Sequence, residues 1–420
     1  MGKRKLARGV AVVGAGMSHF GAFPERSSRD LFVEAFQAMR HTVDRGLDPQ
    51  RIEAFYLGNF NSELFEHQGH TAPLLADWVG LTPRPATRIE DACASGGAAL
   101  RQGILAIASG LYDVVLVGGV EKMSGLSIEQ VTGTLATAAD VLYEVSAGFT
   151  FPGFYAAMAT AYLARYGAPP ESLMDIAIKN HLNGTLNDKA RFQTSIPQAM
   201  ENARQRAAQK GEPPPLWQTA YDFLKDARAN PMIAYPLRMF DCSPVTDGAA
   251  ALLLVAEEQA SAFSRTPIYI IGSGQASDSA MHSRDSLTSL RSTRCAAEEA
   301  YEMAGVRPQD IKMAEVHDCF TIAELLACED LNFFAPGSSA AAAREGLTAR
   351  NGRIPVNPSG GLKAKGHPVG ASGVAQVVEV WEQMREEAGP RQIQRDVNLA
   401  LTHNVGGSGQ TSVVHIFERR

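Results

Sequence analysis

Four short stretches of this chain carry nucleophilic or proton-transferring side chains in settings that could do chemistry. Cys93 lies between Asp91-Ala92 and Ala94-Ser95-Gly96-Gly97. Small neighbours let backbone approach closely, and a helix is predicted to begin here, whose free N–H groups and dipole favour a thiolate. That suits a nucleophile, although a small core residue at a crowded turn would fit the same pattern. His367 sits in Asn357-Pro-Ser-Gly-Gly-Leu-Lys-Ala-Lys-Gly-His-Pro-Val-Gly-Ala-Ser-Gly373, a phrase too particular for an ordinary turn. A cysteine facing a histidine makes an activated thiol, the imidazole taking its proton. His317-Asp318-Cys319-Phe320 closes an apolar strand just before a segment with Glu324. It reads as a site mouth, or as a helix cap by Asp318 with Cys319 buried. Leu401-Thr-His-Asn-Val-Gly-Gly-Ser-Gly-Gln410 holds His403, Asn404, Val405 and Gly406. Its glycine-rich turn between two strands can aim backbone N–H groups at an oxygen. Asp241 to Ala250, Cys295 and Cys328 read as structural.

The elements that must position these residues repeat. Val10-Ala-Val-Val-Gly-Ala-Gly16 has the form of Ile268-Tyr-Ile-Ile-Gly-Ser-Gly274, a buried strand with paired glycines. A helix candidate follows each, closing on Gly46-Leu-Asp-Pro-Gln-Arg-Ile52 and Gly305-Val-Arg-Pro-Gln-Asp-Ile311, with the Gly ending the helix and the Pro just beyond. Second strands come next, Ala54 to Leu57 and Met313 to Val316. The Cys93 and His367 turns then each open a small-residue helix before another strand. Strands alternating with helices imply an α/β fold of mainly parallel sheets. Two packed copies would bring the Cys93 and His367 turns to a shared centre. Residues 125–235 are richer in Gly, Pro, Gln and Asn and read as an inserted, mostly helical excursion. Within it Gln198–Asn230, with Pro213-Pro214-Pro215 and Trp217, reads as a solvated elaboration or as a lid or partner-docking face.

Composition narrows the classes. The 420 residues, 45% hydrophobic and 20% charged, are those of a globular chain with a sizeable core. With 39 basic and 45 acidic residues, net charge −6, nothing global argues for nucleic acid or an anionic membrane as partner. Five cysteines without regular spacing point to reduced thiols in the cytoplasm. The basic start, Met1 to Arg8, lacks the apolar stretch of a signal peptide. Gly97 to Val120 is broken by Arg101, Gln102, Tyr112 and Asp113, so no membrane span is expected. Gly14-Ala-Gly16 fails the dinucleotide fingerprint because His19 stands where the third glycine belongs. No metal site is expected from the scattered His and Cys.

In the order Cys93 segment, Ser243-Pro-Val-Thr-Asp-Gly-Ala-Ala, His317-Asp-Cys-Phe, Gly366-His-Pro and His403-Asn-Val-Gly-Gly, the chain resembles the thiolase superfamily. The likeness spans nearly the whole chain and is strongest to the sterol-carrier-protein-X-type and archaeal-type members. It implies a thiolase fold, α/β, with two similar βαβαβ-type halves in a five-layered αβαβα arrangement and an inserted loop domain. The halves would be 1–124 with a return strand and helix at 236–265, and 266–420; the loop domain would be 125–235. A homodimer or dimer of dimers is implied, and related archaeal-type members work with a small zinc-ribbon and OB-fold companion. Many thiolases have Asn-Glu-Ala-Phe and Cys-x-Gly-Gly-Gly where this chain has His317-Asp318-Cys319-Phe320 and His403-Asn404-Val405-Gly406-Gly407.

What the resemblance implies for chemistry is cleavage of a 3-oxoacyl-CoA by CoA, or the reverse condensation. CoA and acyl-CoA are substrates, and no further cofactor is implied. Cys93 would be acylated, His367 would activate it, backbone N–H of Cys93 and Val405 would hold the oxyanion, and His317 with His367 the enolate oxygen. Cys319, rather than His403, would be the second acid/base, leaving His403 to support the loop. Two rival readings are a decarboxylating ketoacyl synthase with a Cys-His-His set, and a non-catalytic acyl-CoA-binding or retro-aldolase subunit.

Overall fold

The computed structural model describes residues 5–420; the reading of the basic start falls partly on residues 1–4, which lie outside the described residues. The first half runs β1 (Val10–Met17), α1 (Ser28–His41), β2 (Ala54–Gly58), α2 (Ser62–Phe65), α3 (Thr71–Trp78), β3 (Ala86–Ile89), α4 (Ser95–Ala108) and β4 (Val114–Glu121). An excursion follows with α5 (Ile128–Ala136), α6 (Phe151–Tyr166), α7 (Glu171–Gly184), α8 (Ile196–Gln209), α9 (Ala220–Lys225) and the small hairpin β5 (Met232–Ala234) and β6 (Leu237–Arg238). The chain returns along β7 (Gly248–Ala256) and enters β8 (Ile268–Ser277), α10 (Arg291–Ala304), β9 (Met313–Glu315) and α11 (Thr321–Asp330). It finishes with α12 (Ser339–Arg344), α13 (Gly361–Ala364), α14 (Ser372–Met384), β10 (Leu399–Gly406) and β11 (Thr411–Glu418).

Strands follow the order β3-β2-β4-β7-β1-β8-β11-β10-β9. The expectation of mainly parallel sheets is corrected. Only β2–β3, β2–β4 and β9–β10 are parallel, and the other five pairings in this sheet are antiparallel. The last strand of each half causes this: β11 turns back on β10 through a tight hairpin, and β7 returns only after the excursion.

The two halves join where Val10–Val12 of β1 pairs Ile268–Ile270 of β8, and between their sheets lie α4 and α14. Alternation along the buried strands divides the core. In β7, Leu252 and Leu254 face α14, while Leu253 and Val255 join Phe32 and Phe36 of α1 on the other face. On the far side of the second half, Ala296 and Ala300 of α10 and Ala327 of α11 cover Ile416 and Leu401. Helix, sheet, helix, sheet, helix are therefore five layers, with α4 and α14 at the centre.

The repeated glycine pairs explain themselves as helix contacts rather than a phosphate loop. A Cβ on Gly16 would lie 2.2 Å from the Met39 nitrogen of α1, and one on Gly274 only 1.9 Å from the Ala296 oxygen of α10. The helix ends differ from expectation in one copy. Gly305, φ 70°, does cap α10, but α1 ends at His41 and Gly46 lies in the following turn. The segment after β7 is a short 3₁₀ turn, Glu257–Ala262.

The polar stretch 198–230 has a small core of its own. Phe223 and Leu224 of α9 pack with Ile196 and Met174, and Trp217 stands edge-on to Phe223 with its Nε1 donating to Asp226 at 2.9 Å. Phe240 belongs to the same cluster, so this segment backs the wall of the cavity described next. Among the described residues no helix is long and apolar enough to cross a membrane.

Candidate active site

Cys93 rides on a 3₁₀ turn, Ala92–Ala94, that leads into α4. Ala92 is left-handed at φ 48°, an uncommon conformation for a residue with a side chain, and Ser95 holds it: its hydroxyl donates to Ala92 O at 2.6 Å and accepts Asp91 N–H at 2.9 Å. His367 precedes the matching turn, Val369–Ala371, which leads into α14. The match is not residue for residue, since Cys93 lies two positions before its helix and His367 five before its own. The two turns touch because both carry glycine: a Cβ on Gly96 would be 2.8 Å from Gly370 O.

Donor atoms of Cys93, His317 and His367 all lie within 4.8 Å of one another, and the two imidazoles meet edge to face at 5.2 Å. Burial sets their protonation. It pushes the Cys93 thiol up to about 12, with the Glu121 carboxyl adding to the rise and the N–H groups of Gly407 and Cys93 opposing it. The helix start therefore does not make a resting thiolate, because desolvation outweighs the dipole here. Burial lowers His367 to about 3 and, together with His367 and His403, takes His317 well below its ordinary range. All three groups rest neutral.

Two hydrogen-bond chains then give the imidazoles opposite tautomers. Ser372 donates its one hydroxyl proton to Pro368 O at 2.9 Å, so at 2.7 Å it accepts from His367 Nδ1–H. That leaves His367 Nε2 bare, buried and without a partner. Asn404 accepts Gly97 N–H on Oδ1 at 3.1 Å, so its Nδ2 donates to Cys93 O at 3.0 Å and to His317 Nδ1 at 3.2 Å. His317 consequently carries its proton on Nε2, which is also unpartnered. The cluster thus holds one bare acceptor and one free donor beside one thiol.

A cavity of about 520 Å³ opens from Cys93, Cys319, His367 and Gly407, with walls that include Leu135, Phe151, Ile233, Met239, Phe240 and Phe320. Cys319 is buried, and its thiol meets the hydroxyl of Tyr155, whose ring stacks on Phe320 at 4.7 Å. Burial, then the Cys93 thiol, raises Cys319 well above the usual range.

The other expected residues divide between site and scaffold. His403 is turned away by the alternation of β10, its Nε2 against Thr293 Oγ1 of α10 at 3.0 Å, while Gln376 holds its carbonyl at 2.9 Å. Val405 lies opposite Ser412 in the β10–β11 ladder with its side chain in the core beside Cys319, and the backbone N–H that meets the Cys93 sulfur belongs to Gly407. Gly406 lets Asp91 O come close, since a Cβ there would be 2.6 Å away. Asp318 caps neither its own helix nor the site mouth. Its carboxylate accepts Leu362 N–H of α13 at 2.6 Å and the Asn180 amide of α7 at 2.7 Å. Glu324 likewise is buried against Lys179 at 2.6 Å and Asn357 at 2.9 Å. Cys242, expected to be structural, lines the cavity; Cys328 is in the core and Cys295 exposed.

Tyr155 and Glu121 escaped the sequence reading. Glu121 accepts Phe60 N–H and Gly370 N–H at 2.9 Å and Asn61 N–H at 3.1 Å, tying the end of β2 to the His367 turn, and burial lifts it to about 7. Its signal was a lone carboxylate ending the apolar run of β4; Tyr155 had none.

Two repeats bring a buried cysteine and two histidines to a common centre in a duplicated α/β core. The chain belongs to the thiolase family: residues 10–258 match the thiolase N-terminal domain and 273–419 the thiolase C-terminal domain-like model. An acetyl-CoA acetyltransferase of Methanothermobacter thermautotrophicus is 42% identical over 415 residues, 98% of this chain and 100% of the relative. The benzoylsuccinyl-CoA thiolase subunit BbsB of Thauera aromatica is 30% identical over 96% of each chain. In fold, the Ltp2-ChsH2(DUF35) aldolase matches with TM-score 0.80 at 23% identity over 99% of each chain. Human mitochondrial 3-ketoacyl-CoA thiolase in complex with CoA matches with TM-score 0.68 at 18% identity over 100% of each.

Proposed function

We propose that this protein cleaves a 3-oxoacyl-CoA with CoA, or runs the reverse condensation, through an acyl-Cys93 intermediate. The observation that carries the reading is the neutral Cys93 thiol beside the bare Nε2 of His367 and the Nε2–H donor of His317, at one end of an apolar cavity. As the sulfur attacks the C3 ketone, its proton passes to His367 Nε2. Backbone N–H of Cys93 and Gly407 receive the oxyanion. Collapse breaks the C2–C3 bond and expels the enolate of the departing acyl-CoA, whose oxygen accepts from His317 Nε2–H and the His367 imidazolium. Cys319 gives its proton to C2. Incoming CoA returns a proton to the Cys319 sulfur, its thiolate attacks the acyl group, and the expelled Cys93 sulfur takes back the proton held by His367.

A homodimer and a small companion protein belong to this reading. The companion is supported by the likeness to an aldolase whose name joins Ltp2 to ChsH2(DUF35). The same reading locates the protein in the cytoplasm, in keeping with five free cysteines. Mass spectrometry after brief exposure to a 3-oxoacyl-CoA without CoA should find the acyl group on the Cys93 peptide. Label on Cys319, on Cys328 or nowhere, or turnover of malonyl-CoA in place of thiolysis, would overturn it.

A further inference from the structure

Buried lysines in this fold come with carboxylates. Lys122 pairs with Asp247 at 3.2 Å and Lys365 with Glu315 at 3.3 Å, and the half-buried Lys179 pairs with Glu324 at 2.6 Å. Lys363, two residues before Lys365 and only 1% exposed, is different: among the described residues its Nζ makes neither a hydrogen bond nor an ion pair. The nearest anions, Asp241 and Asp318, attract it through space but spend their hydrogen bonds on other groups. Asp241 accepts Arg238 N–H and the Thr321 hydroxyl, both at 2.8 Å. Asp318 accepts the backbone N–H groups of Leu362 and Lys363 and the Asn180 amide. The Cys242 thiol donates to Arg238 O at 3.4 Å, and the neighbouring His181 imidazole is neutral. Lys363 is nevertheless part of the wall of the cavity that contains Cys93 and His367, a wall otherwise made largely of aromatic and aliphatic side chains.

An ammonium buried without a hydrogen-bonded counter-ion is destabilising, and a dry apolar wall makes a counter-charge brought into contact with it bind strongly. We propose that Lys363 anchors a carboxylate carried by the acyl group, so that the substrates are dicarboxylic 3-oxoacyl-CoA thioesters. The proposal rests on the thiolase reading above and names its substrate class. A carboxylate entering with the acyl chain supplies the missing partner as a charge-assisted hydrogen bond and orients the chain relative to Cys93.

The test compares 3-oxoadipyl-CoA with 3-oxohexanoyl-CoA, chains of equal length with and without the terminal carboxylate, on the full-length protein and on Lys363→Met. The parent should show a kcat/KM about 10- to 100-fold higher for the carboxylated substrate. Lys363→Met should lose that preference by lowering 3-oxoadipyl-CoA turnover, while 3-oxohexanoyl-CoA turnover holds or rises. Equal kcat/KM for the two substrates in the parent overturns the proposal whatever the variant does, and so does a variant that loses both substrates alike while its Cys93 is still acylated by acetyl-CoA. If neither substrate acylates Cys93 in the parent, the thiolase reading has failed. The anchor is then decided by adipate alone, which should raise the melting temperature of the parent and not of Lys363→Met.

Discussion

Asn404→Asp changes one atom and should invert the polarity of His317. Asn404 joins three groups from both halves: it accepts Gly97 N–H and donates to Cys93 O and to His317 Nδ1, at 3.1, 3.0 and 3.2 Å. A carboxylate keeps the first bond, cannot donate the other two, and draws the His317 proton onto Nδ1. The free Nε2–H that would hold the enolate oxygen becomes a lone pair. Loss of one donor from such a site costs about 10²–10³ in kcat. Carbon–carbon cleavage at pH 8.5 should fall by that factor. Acylation of Cys93 by a simple acyl-CoA donor, which relies on the N–H groups of Cys93 and Gly407, should fall about tenfold or less. The carboxylate also favours the imidazolium, which bears both protons, so cleavage by the variant should recover as pH is lowered. Asn404→Ala, which imposes no tautomer, should be less impaired in cleavage than Asn404→Asp. Thiolysis followed by loss of the 3-oxo absorbance, with burst acylation followed by mass spectrometry, reads both steps. Equal loss in both steps, or Asn404→Asp cleaving within threefold of the parent, would refute the tautomer argument.

Ser372→Ala removes the 2.7 Å bond that keeps His367 Nε2 bare, and acylation of Cys93 should slow about tenfold; an unchanged single-turnover rate counts against that lock. Cys319→Ala should still acylate Cys93, yet lose carbon–carbon cleavage and exchange of the acetyl-CoA methyl protons by about 10²-fold or more, whereas His403→Ala should keep most of the exchange, and the opposite pattern would give the proton to His403. Acid stability should show two regimes. Burial lowers His181, His367, His403 and His415 to about 3, takes His317 well below its ordinary range, and raises Glu121, Asp318, Asp330 and Glu382 to about 7. Between pH 6.5 and 4.5 the unfolded chain carries extra protons on the five histidines while the folded one carries them on the four acids, so most of the difference offsets. Below about 4 that offset is gone and the histidines still differ, each costing up to about 1.4 kcal/mol per pH unit, while carboxylates lowered in the fold, Asp44 and Asp247 among them, add to the fall. Urea midpoints should therefore fall gently to pH 4.5 and steeply below, and a steep fall already by pH 6 would contradict the raised buried acids that offset the histidines.

Much of this protein is legible without its fold. Buried strands with paired glycines, the helices after them and the matching phrases around Pro49 and Pro308 are local patterns, so the duplication could be read from them. Cys93 and His367 stood out for the same reason, each in a small-residue turn opening a helix. The sheet was misread as mainly parallel because the direction of β7 and β11 depends on where a returning strand docks. Along β10, period-two alternation guarantees that His403 and Asn404 point to opposite faces. Which face meets Cys93 depends on α4 and α10, more than a hundred residues away in the chain. Only tertiary packing could put Gly407 rather than Val405 at the sulfur, bring Asn404 between Gly97 and His317, and leave Lys363 unpaired beside paired Lys365. Protonation was decided there too. A helix N-terminus favours a thiolate locally, but the free energy of charging a group depends on all the surface it has lost to solvent, and that loss comes from both halves closing over it.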